Sequence, residues 1–203
     1  MARVLVLYDG FNLYHAISNL GNPQLKWLDL AKLSKEFIRP DIDQIVGIKY
    51  FSAYPKWNPA RTDRHRLYVR VLASLGVQVV MGNFQRVERR CQACGQVYRT
   101  FEEKKTDANM VAHVMGEAAK DTFDTAIICS ADSDLVAALD GLRTYFPDKV
   151  LGFLFPPGLN SYQLRQHAAF IRDIKPGQLR HCLLPQTVQL PTGSIVTCPP
   201  EWT

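Results

Sequence analysis

Short runs of consecutive apolar residues alternate along the chain with segments whose apolar positions recur every three or four residues. The first run, residues 3–8 (Arg3-Val4-Leu5-Val6-Leu7-Tyr8), predicts a strand buried on both faces. Further apolar runs predict strands at residues 44–52, 77–81, 125–129, 150–155 and 170–174. Residues 29–38 place Leu30, Leu33 and Phe37 at helical spacing, and Pro40 supplies a stop. Helices are also predicted at residues 59–75, 106–120, 135–145 and 161–168. Gly76 closes the first of these, and Val111, Val114, Met115 and Ala118 share one face of the second. Strands that read as unbroken apolar runs between helices indicate a mostly parallel sheet covered on both faces, an α/β/α sandwich.

Two segments break this pattern. Residues 84–101 are basic, contain Cys91 and Cys94, and alternate polar with apolar after the second cysteine, which predicts an inserted hairpin. Beyond Pro176 the chain is rich in Pro, Thr and Gln, so residues 176–203 predict an irregular tail. The organisation expected is one domain over residues 1–175, interrupted by the hairpin. No internal repeat is visible.

Composition bounds the class. With 203 residues, 47% of them apolar and 21% charged, one core can form and disorder is not indicated. The net charge of +5 is a weak hint of a polyanionic partner, but its distribution is stronger. Between Lys56 and Lys105 lie eleven basic and four acidic residues, whereas the remainder is slightly acidic. Concentrated positive charge suits nucleic acid, although a solvated basic face has the same signature. The opening apolar run is too short for a signal peptide, and no run reaches the ~18 apolar residues of a membrane helix. Five cysteines with one close pair read as reduced thiols in a cytoplasmic chain.

In open parallel sheets, ligands bind beyond the carboxyl ends of the strands. The first strand runs into Asp9-Gly10-Phe11-Asn12, and the strand at residues 125–129 runs into Ser130-Ala131-Asp132-Ser133-Asp134. Asp107 opens the helix after Thr106. Each of these has a bland reading as a turn or a helix cap. Together they would crowd several carboxylates at one sheet edge, where a divalent cation offsets both burial and repulsion. Mg²⁺ or Mn²⁺ with a bound phosphodiester is the chemistry such a set serves. No phosphate-binding G-x-x-x-x-G-K-[ST] loop and no G-x-G-x-x-G follows the first strand. Phe11, two positions after Asp9, argues against a phosphatase built on an aspartyl nucleophile.

Three segments, Asp9-Gly10-Phe11-Asn12-Leu13-Tyr14, Glu103-Lys104-Lys105-Thr106-Asp107 and Ser130-Ala131-Asp132-Ser133-Asp134-Leu135, resemble the signatures of NYN domains. The resemblance is to the LabA-like branch of the PIN-like nuclease superfamily, and it spans residues 3–174. It implies an α/β/α sandwich and metal-dependent hydrolysis of RNA by a metal-activated water. It implies Asp9, Asp107, Asp132 and Asp134 as metal ligands, with Asn12 and Ser130 as supporting polar residues of the catalytic set. The sequence departs at Ala131, where relatives often carry Gly, which would matter if that position needed positive φ.

Lys56, Arg61, Arg64, Arg86, Arg89, Arg90 and Lys105 are the candidate nucleic-acid contacts, with Tyr54, Trp57, Tyr68, Phe84 and Tyr98 interleaved. Arginines reach phosphates and aromatics stack on unpaired bases, which favours single-stranded or loop RNA. Tyr68 and Phe84 fit the core equally well. Cys91-Gln92-Ala93-Cys94-Gly95 looks like half of a structural zinc site. Cys182, His181, Cys198 or His65 would have to complete it, or a second subunit in a homodimer. A metal-free pair and a redox pair are the alternatives. Cys129, His113 and His167 read as structural. Three functions stand at this point: a metal-dependent endoribonuclease, a catalytically silent RNA-binding or scaffold protein, and a structure-specific DNA nuclease.

Overall fold

A computed structural model describes residues 1–203. Six parallel strands form the central sheet in the order β3-β2-β1-β6-β7-β8. They are β1 (Ala2–Asp9), β2 (Asp43–Ser52), β3 (Gln78–Met81), β6 (Thr125–Cys129), β7 (Val150–Phe155) and β8 (Phe170–Asp173). The side-chain period of two divides β1 between two cores. Val4, Val6 and Tyr8 face one layer, and Leu5 and Leu7 face the other. The first layer holds α1 (Gly10–Asn19), α2 (Leu30–Lys35) and α3 (Pro59–Ser74). The second holds α4 (Thr106–Ala119), α5 (Val136–Tyr145) and α6 (Tyr162–His167). This is the expected three-layer α/β/α sandwich with a mostly parallel sheet. No helix is long and apolar enough to cross a membrane.

The expected hairpin is present as β4 (Asn83–Arg90) and β5 (Val97–Lys104), paired antiparallel. It joins no other strand and forms a two-stranded arm. Lys105, with φ +80°, turns the chain sharply from the arm into α4.

Three elements differ from the sequence expectation. The segment after Asp9, for which no helix is predicted, is the helix α1, because the Asp9 side chain caps it by accepting the backbone N–H groups of Phe11 and Asn12. The helix expected at residues 29–38 stops at Lys35, short of Phe37, which is nevertheless buried. Residues 176–203 are not irregular. They form α7 (Pro176–His181) and a small hairpin of β9 (Thr187–Gln189) and β10 (Ile195–Thr197). Backbone bonds fasten this segment to the body: Asp29 N–H to Cys182 O (2.7 Å) and Leu184 N–H to Trp27 O (3.0 Å). The Trp27 indole donates to Pro185 O at 2.8 Å. Leu179, Cys182, Val188, Val196 and Cys198 are buried in the same core as α1, α2 and α3. A tail read as irregular from its composition is therefore part of the folded unit.

Leu179 is wholly buried, so Leu179→Ala should destabilise the whole domain by about 2–5 kcal/mol. Urea unfolding should show one cooperative transition moved to lower denaturant. A separate early transition, or no shift, would mean that the segment folds apart from the body.

Candidate functional site

The site begins with strand register. Tyr8 of β1 lies beside Cys129 of β6, so the next residues, Asp9 and Ser130, emerge together at the carboxyl edge of the sheet. Asp9 is 4% exposed. One of its carboxylate oxygens, Oδ1, accepts the N–H groups of Phe11 (3.1 Å) and Asn12 (2.9 Å). The other, Oδ2, accepts the Ser130 hydroxyl at 3.0 Å. Ser130 Oγ in turn accepts the Asp132 N–H at 3.1 Å, and Asp132 Oδ1 accepts the Asp134 N–H at 3.0 Å. Asn12 Oδ1 accepts the Ala131 N–H at 3.0 Å, tying α1 to the loop after β6. Ala131 is not among the residues with positive φ, so the side chain it carries in place of glycine causes no backbone strain there.

Asp107 enters from the first turn of α4. With Asp9, Asn12 and Asp132 it lines a cavity of about 270 Å³, together with Phe11, His15, Glu103, Thr106 and Leu159. Of the sequence-expected set, Asp9, Asn12, Asp107 and Asp132 meet at this cavity. Ser130 lies buried behind it, bonded to Asp9. Asp134 is exposed and does not line the cavity, although its charge is felt by Asp107.

The electrostatics are unusual for carboxylates. Burial pushes Asp9 up to about 6 against its three hydrogen bonds, and the charge of Asp132 adds to the rise. Burial also raises Asp107 to about 6, helped by the charges of Asp132, Asp9 and Asp134. Glu103 is raised too, first by burial and then by Asp107, although Thr106 Oγ1 donates to it at 2.5 Å. None of the chain's salt bridges involves any of these acids. Asp9 and Asp107 are thus gathered without a protein cation paired to them.

No three His, Cys, Asp or Glu side chains close on one point tightly enough to grip a metal unaided. An all-oxygen set around a roomy polar cavity suits a hard cation that keeps several waters, as Mg²⁺ and Mn²⁺ do. The residues present therefore fit such an ion.

A larger cleft of about 580 Å³ adjoins this cavity and shares Phe11, His15 and Glu103 with it. Its walls are aromatic. Trp57 stacks on Phe101 at 4.2 Å, and Phe84 meets Trp57 (4.5 Å) and Phe11 (5.1 Å) edge-on. Lys26, Arg61 and Arg64 line it, and Glu201 and Trp202 contribute from the C-terminal segment. Glu201 holds Arg64 at 2.6 Å. Gly10 lines the larger cleft, and a Cβ there would come within 2.6 Å of Phe51 O and 2.7 Å of the Tyr50 ring. His65, bonded to Tyr50 Oη at 3.3 Å, is pushed down to about 4 by burial and is neutral at pH 7.

The expected basic contacts divide by location. Arg61 and Arg64 line the cleft. Arg86, Arg89 and Arg90 are exposed on the arm, Lys56 on the turn before α3, and Lys105 between the arm and α4. Tyr68 is buried, as the core reading of it required. The expectation that Cys182, His181, Cys198 or His65 completes a zinc site with Cys91 and Cys94 is not met. Cys182 and Cys198 are buried in the core, His65 packs on Tyr50, and no third ligand group stands near the pair. Sequence reasoning missed Glu103, whose place in the same short motif as Asp107 was its only signal. It also missed His15 and Trp202, which no local pattern marks.

The mostly parallel sheet between two helical layers, with acids at its carboxyl edge, is a PIN-like α/β/α fold. The chain belongs to the NYN domain family, whose match covers residues 3–174. It is also similar, at 26% identity over 227 aligned positions covering 92% of this chain and 71% of the other, to the 6-hydroxy-3-succinoylpyridine 3-monooxygenase HspA of Pseudomonas putida. Among solved structures it resembles VPA0982 of Vibrio parahaemolyticus, a protein of unknown function. The TM-score is 0.57 at 18% identity, covering 90% of this chain and 96% of that one. That likeness bears on the fold alone.

A carboxylate whose folded-state pKa lies above its unfolded value weakens the fold once it ionises. The penalty is complete above about 6 and absent below the unfolded value near 4. In chelator, Asp9→Asn should therefore be more stable than the parent at pH 7.5, by on the order of 2 kcal/mol, with the difference gone at pH 4. Denaturant unfolding at the two pH values measures this. A parent chain more stable than the variant at pH 7.5 would refute it.

Proposed function

We propose that this protein is a metal-dependent endoribonuclease of the LabA-like branch that cuts single-stranded or loop RNA. The observation that carries the reading is the gathering of Asp9, Asp107 and Asp132 around one cavity with no basic partner, beside an aromatic cleft lined by cations. A protein that only bound polyanions would gain nothing from such a cluster.

Asp9, Asp107 and Asp132 are the residues that would hold the cation, with Asp134 contributing charge from the rim. When bound, Mg²⁺ or Mn²⁺ neutralises the phosphodiester, lowers the pKa of the attacking water and stabilises the leaving oxygen. The hydrogen bonds from Phe11, Asn12 and Ser130 fix the orientation of Asp9 before any ligand arrives. Asn12 keeps the loop bearing Asp132 in register with α1. Arg61 supplies positive charge for the backbone of the strand, and Trp57 and Phe84 offer ring faces and edges to unpaired bases. Lys56, Arg86, Arg89, Arg90 and Lys105 extend the positive surface beyond the cleft. Five free thiols agree with a cytoplasmic setting.

One observation favours a second reading. The cleft is aromatic and holds Lys26, Arg61 and Arg64, which suits a flat heteroaromatic ring bearing a carboxylate, and the name of the Pseudomonas relative specifies a succinoylpyridine. Binding of such a pyridine, with no nucleic acid cleaved, would replace the nuclease reading.

The deciding experiment incubates the purified protein with a panel of RNAs and DNAs and Mn²⁺. RNA should be cleaved, EDTA should stop cleavage, and Asp132→Asn should lose 10²–10³-fold, the approximate scale of deleting one electrostatic contact to a transition state. Unchanged cleavage by the folded variant rejects the scheme. Binding of RNA without cleavage identifies a silent scaffold, and cleavage of DNA alone identifies a DNA nuclease. Separately, Trp57→Ala should raise KM for unpaired RNA by roughly tenfold or more while leaving kcat near the parent value. Loss confined to kcat would remove Trp57 from base binding.

A further inference from the structure

The arm carries a feature that the cleavage reading does not use. Its two strands are eight residues each, a reach of roughly 25 Å from root to tip. The root is anchored through Phe84 and Phe101. From Glu88 to Arg99 no residue is buried, and Val97 and Tyr98 are 58% and 52% exposed. A two-stranded hairpin with no hydrophobic face against anything is marginal in water. The distal half is held by its backbone ladder and two exposed cross-strand ion pairs, Arg89–Glu102 and Arg99–Glu88, and by no core.

The tip is shaped for a metal. The turn over residues 91–96 is closed by Cys91 N–H to Gln96 O and Gly95 N–H to Cys91 O, both 2.8 Å. Gly95 has φ +73°, which a residue with a side chain rarely adopts. This folding places both cysteines on one tight turn at the exposed tip. Arg90 lies against the same turn, its Nε donating to Gly95 O at 3.1 Å, so positive charge is at hand for an anionic centre.

Two cysteines are half of a tetrahedral structural site. The chain cannot supply the other half: Cys129, Cys182 and Cys198 are buried, and no third ligand joins the pair. A second copy can, because its tip presents the same two thiols from an equally exposed turn. We propose that Cys91 and Cys94 of two copies bind one zinc ion between them, joining the protein into a dimer at the arm tips. Four thiols each release one proton to form a Cys₄ centre, and no electron is transferred. The two-fold axis of a symmetric dimer passes through the ion. Val97 and Tyr98, next to the tip, gain a counterpart across that axis, and Arg90 from each copy offsets the negative charge of the centre.

The test uses protein purified in reductant without chelator. Elemental analysis should find one zinc per two chains, and native mass spectrometry should find a dimer. Chelation should yield monomer, and added zinc should restore the dimer. Cobalt in place of zinc should give the thiolate charge-transfer bands of a tetrahedral sulfur site. Cys94→Ser should lose the bands, the zinc and the dimer while keeping its circular dichroism. Asp9→Asn should keep all three, which separates this site from the carboxylates. Zinc held one per monomeric chain would overturn the proposal. So would a monomer without zinc, a dimer indifferent to chelator, or a Cys91–Cys94 disulfide persisting in reductant.

Discussion

The architecture turns on a carboxylate at the buried end of its central strand. Ionised Asp9 has little water to solvate it, so every neighbour within reach is recruited to its oxygens. Two backbone amides start α1, and one hydroxyl starts the loop after β6. The contacts that make the acid tolerable are thereby the ones that set the direction of α1 and the position of Asp132. Hydrogen bonding does not cancel the cost of burial, as the raised pKa of Asp9 records. The remaining imbalance is what makes the cavity receptive to positive charge.

Around that centre the chain builds from distant parts. The sheet and α4 supply acids, the root of the arm and α3 supply rings and arginines, and the C-terminal segment contributes Glu201 and Trp202. Trp202 packs between Trp27 and Tyr68, so the cleft shares its wall with the core. This wall comes from residues beyond the span matched by the NYN family. The acidic cavity lies wholly within the family span, whereas the neighbouring cleft draws Glu201 and Trp202 from beyond it.

Much of the fold was legible because strands buried on both faces are written as unbroken apolar runs. The order of those runs, and the acids just past two of them, already located the edge where Asp9, Asp107 and Asp132 meet. The helix α1 was hidden because its N-cap is the same residue as the candidate ligand. Asp9-Gly10 has the look of a turn, and only the hydrogen bonds from the Phe11 and Asn12 amides reveal the capping. The C-terminal segment misled for another reason: its Pro and Thr content signals irregular backbone, while its burial rests on single apolar residues such as Leu179 and Val188 without a repeating period. Glu103, His15 and Trp202 reach the site through tertiary packing, which no local spacing encodes. Asp132 and Asp134, two positions apart, look equivalent in a sequence, whereas the short helical turn after Asp132 leaves the second exposed at the rim.

The uneven burial of sulfur has a practical side. Three of the five thiols are sealed in the interior, and the accessible pair sits at the far end of the arm. An electrophilic fluorophore or spin label offered to the native, metal-free chain would meet sulfur at that one location. The unmutated protein accordingly carries a ready attachment point on its exposed arm, from which the arm's position relative to the body can be measured.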